Sequence, residues 1–242
     1  MGIENFDQYI RYLELKREMV PSFSSYPFSL PAIKDFRELH FHPKVTFVIG
    51  ENGTGKSTLL EAIAVAYGFN PEGGTRNFNF STRETHSELN QYIRLVKGVK
   101  RPKDGFFLRA ESFYNVATQI DDLNLAGFYG GVSLHQQSHG ESFLAVILNR
   151  FSGNGIYILD EPEAALSPMR QMSLLARINE LVRLESQFII ATHSPIIMAY
   201  PDADIYSIDQ GFTKIKYEDT EHYQVMRNFI NHPKKMVDIL ME

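Results

Sequence analysis

Apolar residues follow two alternating spacings along this chain. Short apolar runs rich in β-branched and aromatic residues predict buried strands at 45–49, 156–160 and 188–191. Around these runs, apolar residues recur at helical spacing in 57–67 and 172–182. Buried strands that alternate with helices are typical of an α/β fold, so we expect a sheet flanked by helices.

Weaker patterns predict the remaining elements. Further strands are expected at 10–16, 32–41 and 106–110, and as a hairpin of 205–208 and 212–217 around Asp209-Gln210-Gly211. Further helices are expected before residue 10, at 86–96, 113–125 and 143–148, and in the tail from Thr220, broken at Pro233. The loop 70–88, with aromatic residues interleaved at 76–83, is either a solvated loop or a lid and partner surface.

One stretch carries a specific phosphate-binding signal. Residues 50–57 fit the pattern G-x-x-x-x-G-K-S and lie between a predicted strand and a predicted helix, the context that a P-loop requires. Its backbone N–H groups and the helix N-terminus attract phosphate. Lys56 is expected to reach the β- and γ-phosphates of ATP, and the Ser57 hydroxyl to ligate Mg²⁺. The predicted nucleotide-binding residues are Gly50, Glu51, Asn52, Gly53, Thr54, Gly55, Lys56, Ser57 and Thr58.

The composition excludes several classes of protein. The 242 residues can form one domain with a sizeable core, and the absence of cysteine excludes disulfides, thiolate zinc sites and cysteine nucleophiles. No apolar run approaches the roughly 18 residues that span a bilayer, so we expect no membrane insertion, no signal peptide and a cytoplasmic location. The net charge of −5 provides no general attraction for nucleic acid. One local basic cluster consists of Lys97, Lys100, Arg101 and Lys103. It predicts a solvated turn, and contact with nucleic acid is the alternative.

Two acidic residues, Asp160 and Glu161, stand at the end of the predicted strand at 156–160. Carboxylates at the end of a buried strand are costly unless something positive lies nearby, and Mg²⁺ beside a P-loop would supply that charge. Asp160 is expected to hold the metal directly or through water. Glu161 is expected to polarise the attacking water as general base.

Two further segments are candidates for phosphate contacts. Ser138-His139-Gly140-Glu141-Ser142 opens the predicted helix at 143–148, and a Ser and a Gly there form either a helix cap or a second anion site. His193 follows the strand at 188–191 and should lie at the carboxyl edge of the sheet. A histidine there is either structural or a γ-phosphate sensor, and the neighbouring motifs favour the sensor.

The order of these motifs over 32–200 resembles that of the ABC-type ATPases. Lys34-Asp35-Phe36-Arg37 and the segment 163–167 are similar to the SMC/RecF-like branch, which acts on DNA and other cytosolic targets. The stretches Arg109–Phe113 and Ser81–Leu89 resemble a group of small stand-alone bacterial ABC ATPases without a coiled coil.

The resemblance implies a P-loop NTPase fold of the ABC-ATPase type. A mixed, mostly parallel sheet would be flanked by helices, and a helical lobe at about 70–152 would carry the signature motif within a single domain, 1–242. Ser138, Gly140 and Glu141 would bind the γ-phosphate of the opposite subunit in an ATP-dependent homodimer. Glu111 stands in place of the Q-loop glutamine and is a candidate for contact with the metal, and Ser167 replaces the D-loop aspartate.

The implied function is Mg²⁺-dependent binding and hydrolysis of ATP. We expect it to serve a cytosolic process of the DNA-repair or defence type, with a protein partner that the sequence does not name. One alternative is the nucleotide-binding subunit of a membrane transporter, although such subunits usually carry L-S-G-G-Q, a Q-loop glutamine and a fuller helical lobe. Another is a nucleotide-dependent scaffold or regulator, against which Glu161 and His193 argue.

Overall fold

The computed structural model describes residues 8–76, 87–209 and 211–241. The strands are β1 (Ile10–Leu15), β2 (Glu38–His40), β3 (Val45–Ile49), β4 (Ile93–Lys97), β5 (Asp104–Arg109), β6 (Gly155–Asp160), β7 (Gln187–Ala191), β8 (Ala203–Ser207) and β9 (Thr213–Ile215). The α-helices are α1 (Pro31–Lys34), α2 (Lys56–Tyr67), α3 (Phe113–Asp122), α4 (His139–Arg150), α5 (Pro168–Arg183), α6 (Pro195–Met198), α7 (Glu221–Asn231) and α8 (Pro233–Met241). The helix expected before residue 10 and most of the loop expected at 70–88 lie outside the described residues.

The main sheet has six strands in the order β5-β6-β7-β3-β8-β9. The first five are parallel and β9 is antiparallel to β8, which confirms the mixed, mostly parallel sheet and the hairpin expected around Asp209. Because parallel strands end at the same edge, the segments that follow β3, β5, β6, β7 and β8 all meet there. In open α/β sheets this carboxyl edge is the usual place for a ligand.

Alternate residues of the central strands pack on opposite faces of this sheet. Phe47 and Leu159 belong to the core between the sheet and α3, α4 and α5, whereas Val48 and Ile158 belong to the core that includes α2. Both faces are therefore buried, which explains why these strands are continuous apolar runs in the sequence.

A small antiparallel sheet, β2-β1-β4, packs against the α2 side. The helix expected at 86–96 is wrong, because a short 3₁₀ turn at Glu88–Gln91 leads into β4, which pairs along β1. The pairing places Arg94 beside Glu14, with Nη2 2.7 Å from Oε2. The local pattern could not reveal this strand, because its partner lies about eighty residues earlier in the chain.

The strand expected at 32–41 is only partly present. Its first half is the helical turn α1, which Pro31 begins at a position where proline is well tolerated, and the strand β2 is limited to Glu38–His40. The backbone N–H of Ala32 donates to the carbonyl of Thr54 at 2.9 Å, so α1 supports the loop that precedes α2.

The helices expected at 113–125 and 143–148 are confirmed as α3 and α4, and the two tail helices as α7 and α8. Within 70–152, β4 and β5 belong to the two sheets, so the described helical segment is narrower and runs from 113 to 150. Among the described residues, no helix is long and apolar enough to cross a membrane.

Candidate functional site

The loop between β3 and α2 has the shape of a P-loop. Gly55 caps α2 with a positive φ of 105°, which favours glycine, and a Cβ there would also crowd the side chains of Leu30 and Ala32 at 3.2 Å. The Lys56 ammonium curls back over the loop, where it donates to the carbonyls of Gly50 at 2.9 Å and Glu51 at 3.0 Å. Burial lowers the pKa of Lys56, which makes a nearby anion favourable.

Asp160 and Ser57 meet at the carboxyl edge of the sheet, as the sequence predicts. The Ser57 hydroxyl donates to Asp160 Oδ1 at 3.0 Å, although strand β7 lies between β3, which leads into the P-loop, and β6, which ends at Asp160. The Asp160 side chain is almost fully buried, and burial raises its pKa to about 7. A hydroxyl and a buried carboxylate that lacks full charge compensation are suitable oxygen ligands for Mg²⁺, so these two residues fit the metal.

Arg109 is a member of the site that the sequence analysis did not select. It ends β5, next to β6, and its Nε lies 3.3 Å from Asp160 Oδ2. Its other nitrogens contact Glu61 Oε2 at 2.9 Å and Glu111 Oε2 at 3.1 Å. The sequence did contain a feature that could have identified Arg109, namely a cation at the end of an apolar strand. A charged residue is seldom buried in such a place unless an opposite charge pairs with it.

Glu111 lies at the rim of the same site. Its side chain is 81% exposed and pairs with Arg109. Together with Ser57, Asp160 and Glu161, both residues line a cavity of about 280 Å³. The structure thus places Glu111 beside the expected metal ligands.

Glu161 has a left-handed backbone conformation, with φ 50° and ψ 52°, which is uncommon for a residue other than glycine. Its N–H donates to the carbonyl of Ala191 at 3.0 Å, and its Oε1 lies 3.6 Å from Nε2 of His193. The unusual backbone angle therefore places a carboxylate directly after Asp160 and beside the histidine of the next strand. Non-glycine residues in this conformation occur often at functional sites.

Glu163 fixes the segment that follows β7. Its carboxylate accepts hydrogen bonds from the Thr192 hydroxyl at 2.8 Å and from the backbone N–H of His193. Burial raises the pKa of Glu163. Both oxygens of Glu163 bind the turn that carries His193, so Glu163 stabilises this turn. Glu161 instead lines the cavity of about 280 Å³.

His193 also contacts a residue from the tail of the chain. Its Nδ1 lies 3.0 Å from Nε2 of His222, in the first turn of α7. Burial is the main cause that lowers the pKa of both imidazoles, so both are neutral near pH 7. Both histidines line a cavity of about 590 Å³ with Glu51 and Asn52 of the P-loop. No motif in the sequence pointed to His222.

The predicted signature segment begins α4. Ser138 occupies the N-cap, and the Glu141 carboxylate accepts from its N–H at 3.1 Å and from its hydroxyl at 2.6 Å. Arg170 of α5 pairs with Glu141 at 3.0 Å, and a Cβ on Gly140 would lie 2.6 Å from the carbonyl of Ala165. A capping box is thus present, and it is compatible with both a plain cap and an anion site.

The signature segment also approaches the site of its own chain. His139 lines the cavity of about 280 Å³ that contains Ser57 and Asp160, whereas Ser138 and Gly140 are not among its lining residues. Within one chain, the described residues therefore do not place Ser138 and Gly140 at the P-loop. Ser167 takes the N-cap position of α5, where Pro168 follows as the first helical residue.

Comparison with known proteins agrees with these features. A family profile described as "AAA domain" matches residues 22–143, just over half of the chain, and a profile described as "AAA domain, putative AbiEii toxin, Type IV TA system" matches residues 89–199. A "Putative ABC transporter ATP-binding protein" of Geobacter sulfurreducens is 27% identical over 207 residues, which cover 77% of this chain and 73% of that protein.

An "Uncharacterized ABC transporter ATP-binding protein" of Haemophilus influenzae is 30% identical over 206 residues, which cover 76% of this chain and 77% of that protein. Among solved structures, the SMC head domain from Thermotoga maritima is similar with a TM-score of 0.44 and 18% identity, over 83% of this chain and 94% of that chain. With its match to the AAA-domain profile over half of its length and its 30% identity to an ABC transporter ATP-binding protein, the chain belongs to the ABC-type family of P-loop ATPases.

Proposed function

We propose that this protein binds ATP with Mg²⁺ and hydrolyses it. The observation that carries the proposal is the contact between the Ser57 hydroxyl and Asp160, 3.0 Å apart, with Glu161 directly after Asp160 and Lys56 directly before Ser57 in the chain. A phosphate loop, a buried carboxylate and a free carboxylate at one sheet edge are the parts that phosphoryl transfer to water needs.

Each residue has a distinct task in the proposed reaction. The P-loop N–H groups and Lys56 would bind the β- and γ-phosphates, while Ser57 and Asp160 would hold Mg²⁺, which would neutralise charge on the phosphate oxygens. Glu161 would take a proton from the water whose oxygen attacks the γ-phosphorus. The bond to the β-phosphate oxygen would then break, releasing ADP and phosphate. His193 would donate a hydrogen bond to the γ-phosphate.

The proposed active form is a homodimer with ATP between the subunits. The P-loop contacts phosphate from one side only, and α4 offers a second helix N-terminus with Ser138 and Gly140 near its start. Gly140 packs against the carbonyl of Ala165, which keeps the start of α4 close to the turn after Glu161. Two such half-sites related by a twofold axis would close an isologous dimer.

The process driven by the cycle has two candidates. The first is the expected cytosolic process of the DNA-repair or defence type, and the toxin and type IV TA description of the second matched profile favours its defence variant. The names of both curated relatives favour the nucleotide-binding subunit of a transporter equally well. Affinity purification of the Glu161→Gln protein with ATP would separate them, since a membrane-embedded partner indicates the transporter and a soluble protein or nucleic acid indicates the first role.

The Glu161→Gln substitution also tests hydrolysis itself. Removing a general base should lower ATP turnover by roughly 10²–10⁴, while ATP binding persists because the phosphate contacts remain. Glu180→Gln, on the exposed face of α5, is the matched control and should leave turnover unchanged. Turnover should stop when EDTA removes Mg²⁺. Near-normal turnover in Glu161→Gln would place the base elsewhere, and a wild-type protein that binds ATP without hydrolysing it would favour the scaffold or regulator.

A further inference from the structure

The histidine pair between β7 and α7 is held by several independent contacts. Thr220 is fully buried and caps α7, with its hydroxyl oxygen accepting from the N–H of Tyr223 at 3.3 Å. The Tyr217 hydroxyl donates to the carbonyl of Pro195 at 2.9 Å, next to the turn that carries His193. His222 therefore approaches His193 from a fixed helix start, although the rest of α7 is exposed.

A hydrogen bond between two neutral imidazoles has one proton, which belongs to either partner. His193 Nδ1 faces His222 Nε2 at 3.0 Å, so one nitrogen must donate and the other must accept. A neutral imidazole carries a single N–H. The choice of donor therefore also decides whether His193 Nε2 and His222 Nδ1 carry a proton or a lone pair.

The Glu161 carboxylate decides where the shared proton lies. It lies 3.6 Å from His193 Nε2, and its negative charge favours an N–H at that nitrogen, which leaves Nδ1 as the acceptor. Within the described part of the chain, His193 Nε2 and His222 Nδ1 are both buried without a hydrogen-bond partner, so burial alone does not distinguish the two assignments. With His193 Nδ1 as the acceptor, His222 carries its proton on Nε2 and donates it.

The surrounding charges keep both rings neutral in this arrangement. Lys56 and the N-terminus of α7 disfavour an imidazolium, while Glu161, Asp209 and Glu221 favour one. Burial also disfavours the imidazolium and is the largest of these effects, so the pKa of both histidines is lowered.

We propose that His222 is a positioning residue that fixes His193 in the tautomer with its N–H on Nε2, directed at the γ-phosphate. In the other tautomer His193 Nε2 would present a lone pair, which repels a phosphate oxygen instead of binding it. This inference rests on the proposed function in giving His193 a part in hydrolysis, but the tautomer is a property of the protein without nucleotide.

The tautomer can be measured directly in the free protein. Long-range ¹H–¹⁵N correlation spectra of histidine-labelled protein at pH 7.5 distinguish the two tautomers, and a His193→Gln sample identifies the His193 signals. We expect wild-type His193 to carry its proton on Nε2. His222→Phe keeps a ring but removes the donor, so His193 should then populate both tautomers, whereas His222→Gln keeps an N–H near the position of Nε2 and should preserve the wild-type form.

Kinetics supply the second readout. His222→Phe should lower kcat for ATP about tenfold, the scale of one hydrogen bond, with KM changed less than about twofold. His222→Gln should stay within about threefold of wild type. His232→Phe, an exposed histidine at the end of α7, is the matched control and should change neither the tautomer nor kcat.

The outcomes separate this inference from the proposed function. A wild-type His193 with its proton on Nδ1, or a His222→Phe protein with unchanged tautomer and kcat, would overturn the role of His222. If the wild-type protein hydrolyses no ATP, the proposed function fails, and the spectra still decide the tautomer. If His222→Phe does not fold, the wild-type and His222→Gln spectra decide it.

Discussion

Replacing Asp160 by Asn should stabilise the free protein more at high pH than at low pH. Burial raises the pKa of Asp160 from its ordinary 3.8 to about 7. Between these two values the folded protein holds a proton that the unfolded chain has released. The free energy of unfolding of the wild type therefore falls as the pH rises from about 4 to about 7, and it levels off above that.

The magnitude follows from the width of this window. Within the range between the two pKa values, the free energy of unfolding changes by about 1.4 kcal/mol per pH unit. The interval from pH 5 to pH 8 includes about two pH units of that range, from pH 5 to about pH 7. The difference in unfolding free energy between Asp160→Asn and wild type should therefore grow by about 3 kcal/mol from pH 5 to pH 8. Asn still accepts from the Ser57 hydroxyl, and the attraction of Arg109 for the ionised carboxylate is already included in the pKa of about 7.

Denaturant unfolding followed by circular dichroism, at pH 5 and pH 8 in EDTA without nucleotide, measures this difference. Asp238→Asn, on the exposed side of α8, removes the same charge without burial and should change stability by no more than about 0.5 kcal/mol at either pH. A difference that is equal at the two pH values, or smaller at pH 8, would refute the reasoning. It would mean that Arg109 fully compensates the buried charge.

Two further predictions address the nucleotide and the dimer. Lys56→Ala should abolish ATP binding in isothermal titration calorimetry, because the phosphates lose their buried counter-ion, and unchanged affinity would contradict the P-loop assignment. In the Glu161→Gln background, ATP with Mg²⁺ should convert monomer to dimer in light scattering while ADP should not. Adding Ser138→Arg should block that dimer by its bulk and leave ATP binding intact; a dimer that persists would return Ser138 to a plain helix cap.

The sequence predicted those residues of the site that directly follow the predicted strands. Gly50–Ser57, Asp160 and His193 follow apolar runs, and runs that form parallel strands bring such residues to one edge. The roles of these residues and of the signature segment remain predictions, because no ligand or second subunit has tested them.

Residues that act through distant partners could not be predicted. Arg109 gains its place only because β5 lies next to β6, where its guanidinium meets Asp160 and Glu61. Strand β4 was predicted as helix because its stabilising partner, β1, is far away in the chain. His222 lies on an amphipathic helix with no recognisable motif, and its importance depends on the cap at Thr220.

Strand order also explains why His193 must lie at the centre of the site. Strand β7 lies between β3, which ends in the P-loop, and β6, which ends in Asp160 and Glu161. Two interstrand spacings separate the outer pair by about 10 Å, so the residue after β7 stands between the phosphate loop and the carboxylates. Any chain with this order places its β7 terminus there, but the order does not set which nitrogen of a histidine carries the proton. In our proposal His222 of α7, outside the sheet, fixes that choice together with Glu161, so replacing His222 should alter hydrolysis without displacing the P-loop.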